Sequence, residues 1–177
     1  MQIDVADLTE AGRPFAHTYA PTELPLEDEG ARLSSEARAE GRASRKGRRV
    51  RVRGAVAAEV EVNCDRCAAA VAFPVRSVFD VSYDPPGADG EGENTELQAE
   101  DLGTSVYAGE SIDLDELARE QILLALPSRT LCRETCAGLC PICGADLNQQ
   151  ACACEQKETD PRWAGLAALK KDVNSKS

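Results

Sequence analysis

The chain has 177 residues, a formal net charge of −11, 29% charged residues and only 4% aromatic residues. This length can bury one ordinary hydrophobic core, which must be built mainly from Val, Leu, Ile and Ala. The charge disfavours bulk attraction to nucleic acid, and no run approaches the roughly 18 apolar residues that cross a membrane.

The N-terminal third is predicted to contain short strands and a concentrated basic run. Strands are expected near Val5 and over 31–39. Residues 42–53 hold seven basic residues and no acidic one. This run is either the solvated face of a strand, partly neutralised by an acidic loop, or a strip that contacts phosphates. The candidate RNA-contacting residues are Arg45, Lys46, Arg48, Arg49 and Arg51.

Two long strands are predicted after the basic run. Apolar residues occupy even positions in 50–64 and odd positions in 71–83, with polar residues between them. Alternation of this length is typical of half-buried β-strands. Because only residues 65–70 separate the two runs, the strands should pair antiparallel as a hairpin. Cys64 and Cys67 would then lie at its tip, in the geometry of a zinc knuckle.

An acidic loop and a helix are predicted next. Residues 84–101 carry seven acidic residues and no basic one, and we expect a mobile loop because the stretch lacks an apolar period. Asp113 can cap a helix, and apolar residues recur at helical spacing until Pro127. A helix is therefore predicted over 113–126, covering one face of the sheet. Capping and solvation explain its acidic first turn without a catalytic role.

The eight cysteines form the most informative pattern, because six of them fall within residues 132–154. Thiolates at this spacing typically hold tetrahedral zinc, and eight suffice for two sites. Disulfides are disfavoured because the N-terminus lacks the features of a signal peptide and clustered cytosolic cysteines usually bind metal or react. Redox-active thiols and an iron–sulfur cluster are further alternatives. The expected metal ligands are Cys64, Cys67, Cys132, Cys136, Cys140, Cys143, Cys152 and Cys154.

These thiolates can divide into two sites in either of two ways. In the first, the four cysteines within 140–154 form a local site, and Cys132 and Cys136 join the hairpin pair. In the second, Cys136 and Cys154 exchange sites. Four thiolates leave no open coordination position, so that both zinc sites should be structural. Zinc would contribute on the order of 10 kcal/mol to the folding of a region with almost no apolar core.

The expected architecture is α+β with two domains. Residues 1–130 should form an antiparallel β-sheet or open barrel with one covering helix. Residues 131–177 should form a small Cys-rich, zinc-ribbon-like segment with a short C-terminal helix, which Asp160 can cap and Pro161 can open. This helix should dock onto its own domain or, less favourably, onto a partner.

Four segments occur in order between about Val50 and Lys171. They are the Cys-Asp-Arg-Cys pair at Cys64, the helix and its flanks over 112–127, Gly-Leu-Cys-Pro-Ile-Cys-Gly-Ala-Asp-Leu-Asn from Gly138 to Asn148, and Asp-Pro-Arg-Trp-Ala-Gly-Leu from Asp160. Together they resemble the YceD-like family of large ribosomal RNA subunit accumulation proteins. The resemblance implies a role in making or stabilising 23S ribosomal RNA, without known catalytic chemistry, in a bacterial cytoplasm or plastid. Some relatives lack the full cysteine set, so that zinc is argued from this chain's own residues.

Two functional hypotheses follow. The first is a cytoplasmic, non-enzymatic ribosome assembly factor that promotes 23S rRNA synthesis, processing or accumulation. Its expected partner is the precursor large ribosomal subunit, contacted through rRNA or a basic ribosomal protein, with no membrane and no small-molecule substrate. The alternative is a redox-sensing zinc protein or redox-controlled chaperone. Enzymes are disfavoured because the chain has no phosphate-binding glycine loop and a single histidine, His17, predicted to lie on the surface.

Overall fold

The computed structural model of the chain describes residues 1–28, 30–85, 104–107 and 109–154. The predicted acidic loop lies outside these ranges except for its first two residues, and the predicted C-terminal helix lies wholly outside them. The chain divides into two compact units, Met1–Glu134 and a second that begins at Thr135.

The first unit is built on an open β-sheet that does not close into a barrel. The elements are β1 (Gln2–Asp4), a 3₁₀ turn (Val5–Asp7), β2 (Arg13–Tyr19), β3 (Ala31–Leu33), β4 (Ala37–Lys46), β5 (Arg49–Asn63), β6 (Ala70–Asp84), β7 (Thr104–Val106), β8 (Ser111–Asp113) and α1 (Leu114–Leu124). The sheet order is β2-β4-β5-β6-β7, with β3 also paired to β5, and β1 and β8 form a separate two-stranded ribbon. All pairs of these strands are antiparallel except β6 with β7, which is parallel. The predicted α+β class is confirmed.

The predicted hairpin is confirmed as the longest pairing of the sheet. Strands β5 and β6 are 15 residues each and pair from Val50 opposite Tyr83 to Asn63 opposite Ala70. The even positions of β5 supply much of the core, because burial of their side chains removes apolar surface from water. The most deeply buried of them are Val50, Val52, Val56 and Val60.

Strand β4 differs from the sequence expectation. The sequence predicts a strand over 31–39, whereas the structure has the short β3 and a separate β4 that continues to Lys46. The core-facing residues of β4 include Ala37, Ala39 and Ala43, all buried. Small residues give a weak hydrophobic alternation, and for this reason the sequence pattern does not reveal the full strand. The basic run therefore lies on two strands, β4 and β5.

Helix α1 begins directly after Asp113, the cap residue that the sequence predicts. The Asp113 carboxylate accepts hydrogen bonds from the backbone N–H groups of Asp115 (2.8 Å) and Glu116 (3.2 Å), which stabilises the first turn. The buried face of α1 includes Leu117 and Ile122, and the helix lies against β1, β5 and β6. It covers the sheet as predicted. Within the described ranges, no helix is long and apolar enough to cross a membrane.

Two glycines allow phenyl rings to lie across the centre of the sheet. Gly41 and Gly54 are directly opposite each other, Phe15 is opposite Gly41, and Phe79 is opposite Gly54. A Cβ at Gly41 would lie 2.7 Å from Phe15 Cζ and 2.2 Å from the Arg53 carbonyl oxygen. At Gly54 it would lie 2.8 Å from Phe79 Cζ. One row across four strands thus depends on the absence of side chains at its centre.

A buried carboxylate ends β6. Within the part of the chain that the structure describes, Asp84 is the one charged residue that is buried, with 5% of its surface exposed. Its two oxygens accept three hydrogen bonds from Arg49, at 2.5, 2.9 and 3.1 Å. These hydrogen bonds lower the pKa of Asp84, because they favour its charged form. Asp84 therefore belongs to a strand and not to the predicted loop.

We expect Asp84→Asn to lower the free energy of unfolding at neutral pH by about 1–2 kcal/mol, since a charged hydrogen-bond partner of Arg49 is lost. The carboxylate stabilises the folded state above its unfolded pKa of about 4, and this contribution is lost as pH falls through the lower folded pKa. Urea unfolding at about pH 7 and about pH 3 measures both values. The difference in free energy of unfolding between the parent and Asp84→Asn should be smaller at about pH 3 than at about pH 7.

Glu40→Gln is the matched control, because Glu40 pairs with Arg38 on the exposed surface. Its loss should change stability by less than about 0.5 kcal/mol. An equal difference in free energy of unfolding between the parent and Asp84→Asn at both pH values would contradict the assigned role of the ion pair.

Candidate metal centres and basic groove

The eight cysteine sulfurs lie in two groups of four. Within each group all Sγ atoms lie within 4.8 Å of one another. Sulfurs around one tetrahedral zinc lie roughly 3.8 Å apart, given a Zn–S distance of about 2.3 Å, so that each group could hold a metal ion. This grouping matches the first of the two divisions considered above. The groups are Cys64, Cys67, Cys132 and Cys136, and Cys140, Cys143, Cys152 and Cys154.

The sulfur spacing fits metal binding better than disulfides. All eight cysteines are free thiols. The Sγ atoms of Cys67 and Cys132 are 3.6 Å apart, and those of Cys140 and Cys152 are 3.4 Å apart. A disulfide bond needs about 2.05 Å, whereas these distances are close to the separation of sulfurs that share one tetrahedral metal ion.

Both Cys-x-x-Cys pairs adopt the same turn. The backbone N–H of the first cysteine donates to the carbonyl five residues later, at 2.9 Å from Cys64 and 2.8 Å from Cys140. The residue after the second cysteine donates back to the first, at 2.8 Å from Ala68 and 2.9 Å from Gly144. That residue is left-handed in both turns, with φ of 57° at Ala68 and 73° at Gly144. Two unrelated segments thus present their sulfurs in the same way.

Backbone N–H groups also favour ionisation of the first sulfur in each pair. Hydrogen bonds led by the N–H of Cys132 lower the pKa of Cys64 to about 6. Those led by the N–H of Cys143 lower the pKa of Cys140 to about 6. The thiolate is the form that binds metal, so that these turns suit a metal ion.

The hairpin tip is tied to the segment that follows α1. The N–H of Asp65 donates to the Thr130 carbonyl (2.9 Å), and the N–H of Thr130 donates to the Asp65 carboxylate (2.6 Å). This reciprocal pair brings Cys132 beside Cys67. Sequence analysis does not identify Asp65 as a functional residue, although it lies inside the first cysteine motif.

Asn148 organises the second unit and is also missed by sequence analysis. Its side-chain carbonyl accepts from the N–H of Ala137 (2.8 Å), and its amide nitrogen donates to the Asp146 carboxylate (2.7 Å) and to Cys136 Sγ (3.4 Å). An amide that donates to a thiolate stabilises its charge and fixes its orientation. The available signal is its position at the end of the segment from Gly138 that carries the family resemblance.

The predicted RNA-contacting residues lie on β4, on β5 and on the turn between them. Arg45 donates to the Val5 carbonyl (3.0 Å), and Arg49 pairs with Asp84 as described above. Lys46 and Arg48 make no ion pair within the part of the chain that the structure describes. The single histidine, His17, is half-buried beside Tyr19, with ring centroids 4.4 Å apart.

One carboxylate on β6 holds two arginines of β5. Asp80 pairs with Arg51 at 2.6 Å and with Arg53 at 2.9 Å. The hydrogen bond from Arg51 is the main cause of the lowered pKa of Asp80. The basic run is thus partly neutralised by Asp80 and Asp84 of β6. Neutralisation by the rest of the predicted acidic loop stays a prediction, because that loop lies outside the described residues.

A groove of about 620 Å³ lies over this basic surface. Its lining includes one acidic residue, Glu10, and the hydroxyls of Ser44 and Ser82. Two of its arginines, Arg42 and Arg53, are not among the predicted RNA contacts, and the predicted contact Arg48 does not line it. We call this feature the basic groove. Its basic residues are Arg42, Arg45, Lys46, Arg49, Arg51 and Arg53.

Comparison with known proteins identifies relatives over most of the chain. The family described as large ribosomal RNA subunit accumulation protein YceD matches residues 52–170. Uncharacterised proteins of Mycobacterium tuberculosis and Mycobacterium bovis are 32% identical over 179 residues, covering 96% of this chain and 81% of each relative. The Arabidopsis thaliana protein named large ribosomal RNA subunit accumulation protein YCED homolog 1, chloroplastic, is 31% identical over 65 residues, covering 37% of this chain and 20% of that protein. No solved structure matches.

The left-handed residue of the first turn provides a test of the shared geometry. We expect Ala68→Gly to raise the free energy of unfolding by about 0.5–1 kcal/mol, because glycine adopts positive φ without the steric cost that alanine bears. Ala69→Gly is the control: its φ is not positive, and glycine there should destabilise by a similar amount. Chemical denaturation measures both. Equal destabilisation by the two variants would contradict the turn assignment.

Proposed function

This chain belongs to the YceD family of large ribosomal RNA subunit accumulation proteins, and we propose that it acts as a non-enzymatic ribosome assembly factor. In this role it promotes the synthesis, processing or accumulation of 23S ribosomal RNA. The observation that carries the proposal is the family match over residues 52–170, which includes the hairpin tip, α1 and the complete C-terminal cysteine region.

The proposed partner is the precursor large ribosomal subunit in the cytoplasm, with no membrane and no small-molecule substrate involved. Contact through rRNA is supported by the basic residues on β4 and β5, and contact through a basic ribosomal protein is supported by the net charge of −11. The candidate RNA-contacting residues remain Arg45, Lys46, Arg48, Arg49 and Arg51.

We also propose that each sulfur group holds one structural zinc ion. The fit of four mutually close sulfurs to tetrahedral coordination supports this, as do the paired turns that orient them. Zinc supplies charge neutralisation and cross-linking when bound. Around it, the Asn148 amide donates to Cys136, and the reciprocal hydrogen bonds of Asp65 and Thr130 hold the segment that carries Cys132.

Metal analysis of protein purified without added metal should find about two zinc ions per chain. Replacing Cys140 and Cys143 together by Ser should remove one of them. It should also expose residues 135–154 to protease, because these residues bury little apolar surface. Ser128→Ala is the control, because Ser128 lies on the segment after α1 and outside both sulfur groups. This variant should retain both ions.

Fully folded, reduced protein without any transition metal would contradict the zinc proposal. Fast zinc release by mild peroxide, accompanied by a gain in binding of unfolded proteins, would instead favour the redox-controlled chaperone.

Cells that lack this protein should accumulate less 23S rRNA relative to 16S rRNA, and a plasmid copy should restore the ratio. The tagged protein should co-purify with large-subunit precursor RNA, sized on a gel. An unchanged ratio together with absence of large-subunit RNA from the purified material would contradict the proposed function.

A further inference from the structure

We infer that the basic groove binds the phosphate backbone of structured RNA, and that Asp80 both positions two of its arginines and competes with the phosphates for them. The inference rests on the proposed function and specifies the contact that serves it. It changes the predicted residue set by adding Arg42 and Arg53 and by leaving out Arg48.

The groove has a local charge opposite to that of the chain. Six basic side chains line it, against the lining residue Glu10 and the two paired carboxylates Asp80 and Asp84. The local balance is therefore three positive charges, whereas the whole chain carries −11. A concave positive surface on an acidic protein concentrates anions at one place.

The arrangement of these charges works against folding stability. Lys46 lies directly opposite Arg49, and Arg42 lies directly opposite Arg53, across β4 and β5. Like charges directly opposite each other in an antiparallel pair destabilise the sheet. A surface shaped by stability alone would avoid both pairs, and an anion that bridges them would remove the repulsion.

Several of the arginines are oriented without losing their charge. Arg42 donates to the carbonyls of Ala11 (3.2 Å) and Gly12 (2.8 Å), and Arg45 donates to that of Val5 (3.0 Å). A carbonyl accepts a hydrogen bond but neutralises nothing. These guanidinium groups are therefore held in place with donors left for a phosphate, which reduces the entropy lost on binding.

Asp80 has a different effect, because one carboxylate is shared by Arg51 and Arg53. The three side chains together keep one net positive charge, and both arginines are half-exposed, as their side chains are 50% and 59% accessible. A phosphate that enters the groove competes with Asp80 for the same N–H donors. Removal of this carboxylate should thus strengthen phosphate binding.

The lining also indicates which part of RNA would be contacted. The described lining residues of the groove include no aromatic side chain, whereas proteins that bind single strands stack bases on aromatic rings. The hydroxyls of Ser44 and Ser82 suit phosphate or ribose 2′-OH contacts, through which proteins recognise duplex RNA. The geometry therefore favours backbone contacts to helical RNA without base readout.

Fluorescence anisotropy with a labelled RNA duplex of about 16 base pairs tests the inference on the full, metal-loaded chain. The double variant Arg51→Gln/Arg53→Gln should weaken binding about tenfold and reduce the magnitude of the slope of log K against log salt by about two. Asp80→Asn should bind about threefold more tightly, the factor expected for loss of one exposed competing ion pair. Thermal unfolding verifies that each variant folds.

Arg38→Gln is the matched control, because Arg38 lies on β4, points to the same outer face as Arg42, pairs with Glu40 and does not line the groove. The affinity of Arg38→Gln for the duplex should stay within about twofold of the parent's affinity. This change is smaller than the change expected for the loss of one phosphate contact. Weaker binding by Asp80→Asn, or equal affinity of the double variant and the parent, would overturn the inference. Preference for a single-stranded RNA of the same length would also overturn it.

The outcome can be separated from that of the proposed function. Reduced 23S rRNA in cells lacking the protein, combined with no binding to the duplex, would overturn the groove assignment and leave the assembly role standing. Groove-dependent duplex binding, combined with an unchanged 23S ratio and no co-purifying large-subunit RNA, would support the groove and contradict the assembly role. A third outcome is that the parent and the double variant both capture a basic ribosomal protein and neither binds the duplex. This outcome would overturn the groove as the surface that contacts RNA.

Discussion

The gathering of cysteine sulfurs into groups of four is the constraint on which the cysteine-rich part of this chain depends. Among the described residues from Thr135 onward, only Cys136, Gly138 and Cys140 are buried, while Leu139 and Ile142 are exposed. So little buried apolar surface cannot offset the conformational entropy of an ordered segment. A metal held by thiolates would contribute the missing free energy. The local structure therefore follows ligand spacing and hydrogen bonds to sulfur, and not hydrophobic periodicity.

The first unit is stabilised in a different way, which separates its two surfaces by role. The inner face of β5 is rich in buried valine, and the core continues through α1. The buried face thereby stabilises the sheet without help from the outer face. The like-charged cross-strand pairs of arginine and lysine on the outer face destabilise the sheet. An ion-pair network with Asp80 and Asp84 limits this cost. The buried face determines the register of the strands. The charges of the outer face are therefore not needed for folding and are available for contact with a partner.

Long periodic segments and cysteine spacing could be predicted from the sequence, whereas contacts that depend on register could not. The alternation along β5 and β6 and the cap at Asp113 are local signals, and the hairpin and the helix lie where these signals predict them. The pairing of Arg53 with Asp80 arises only because these positions are opposite in the folded hairpin. The hydrogen bond from Asn148 to Cys136 likewise joins residues twelve positions apart. Neither has a periodicity that sequence analysis could detect.

The acidic character of the chain and its basic groove are compatible once screening is considered. At physiological ionic strength, charges more than about 8 Å apart interact weakly, so that a phosphate inside the groove responds mainly to the arginines around it. An RNA segment that touches other surfaces of the protein meets carboxylates instead, since acidic residues outnumber basic ones by 31 to 20. The same charge distribution that permits binding at one place thus opposes binding elsewhere. An assembly factor of the kind proposed above would gain from this arrangement, because weak general affinity for RNA leaves its release unhindered.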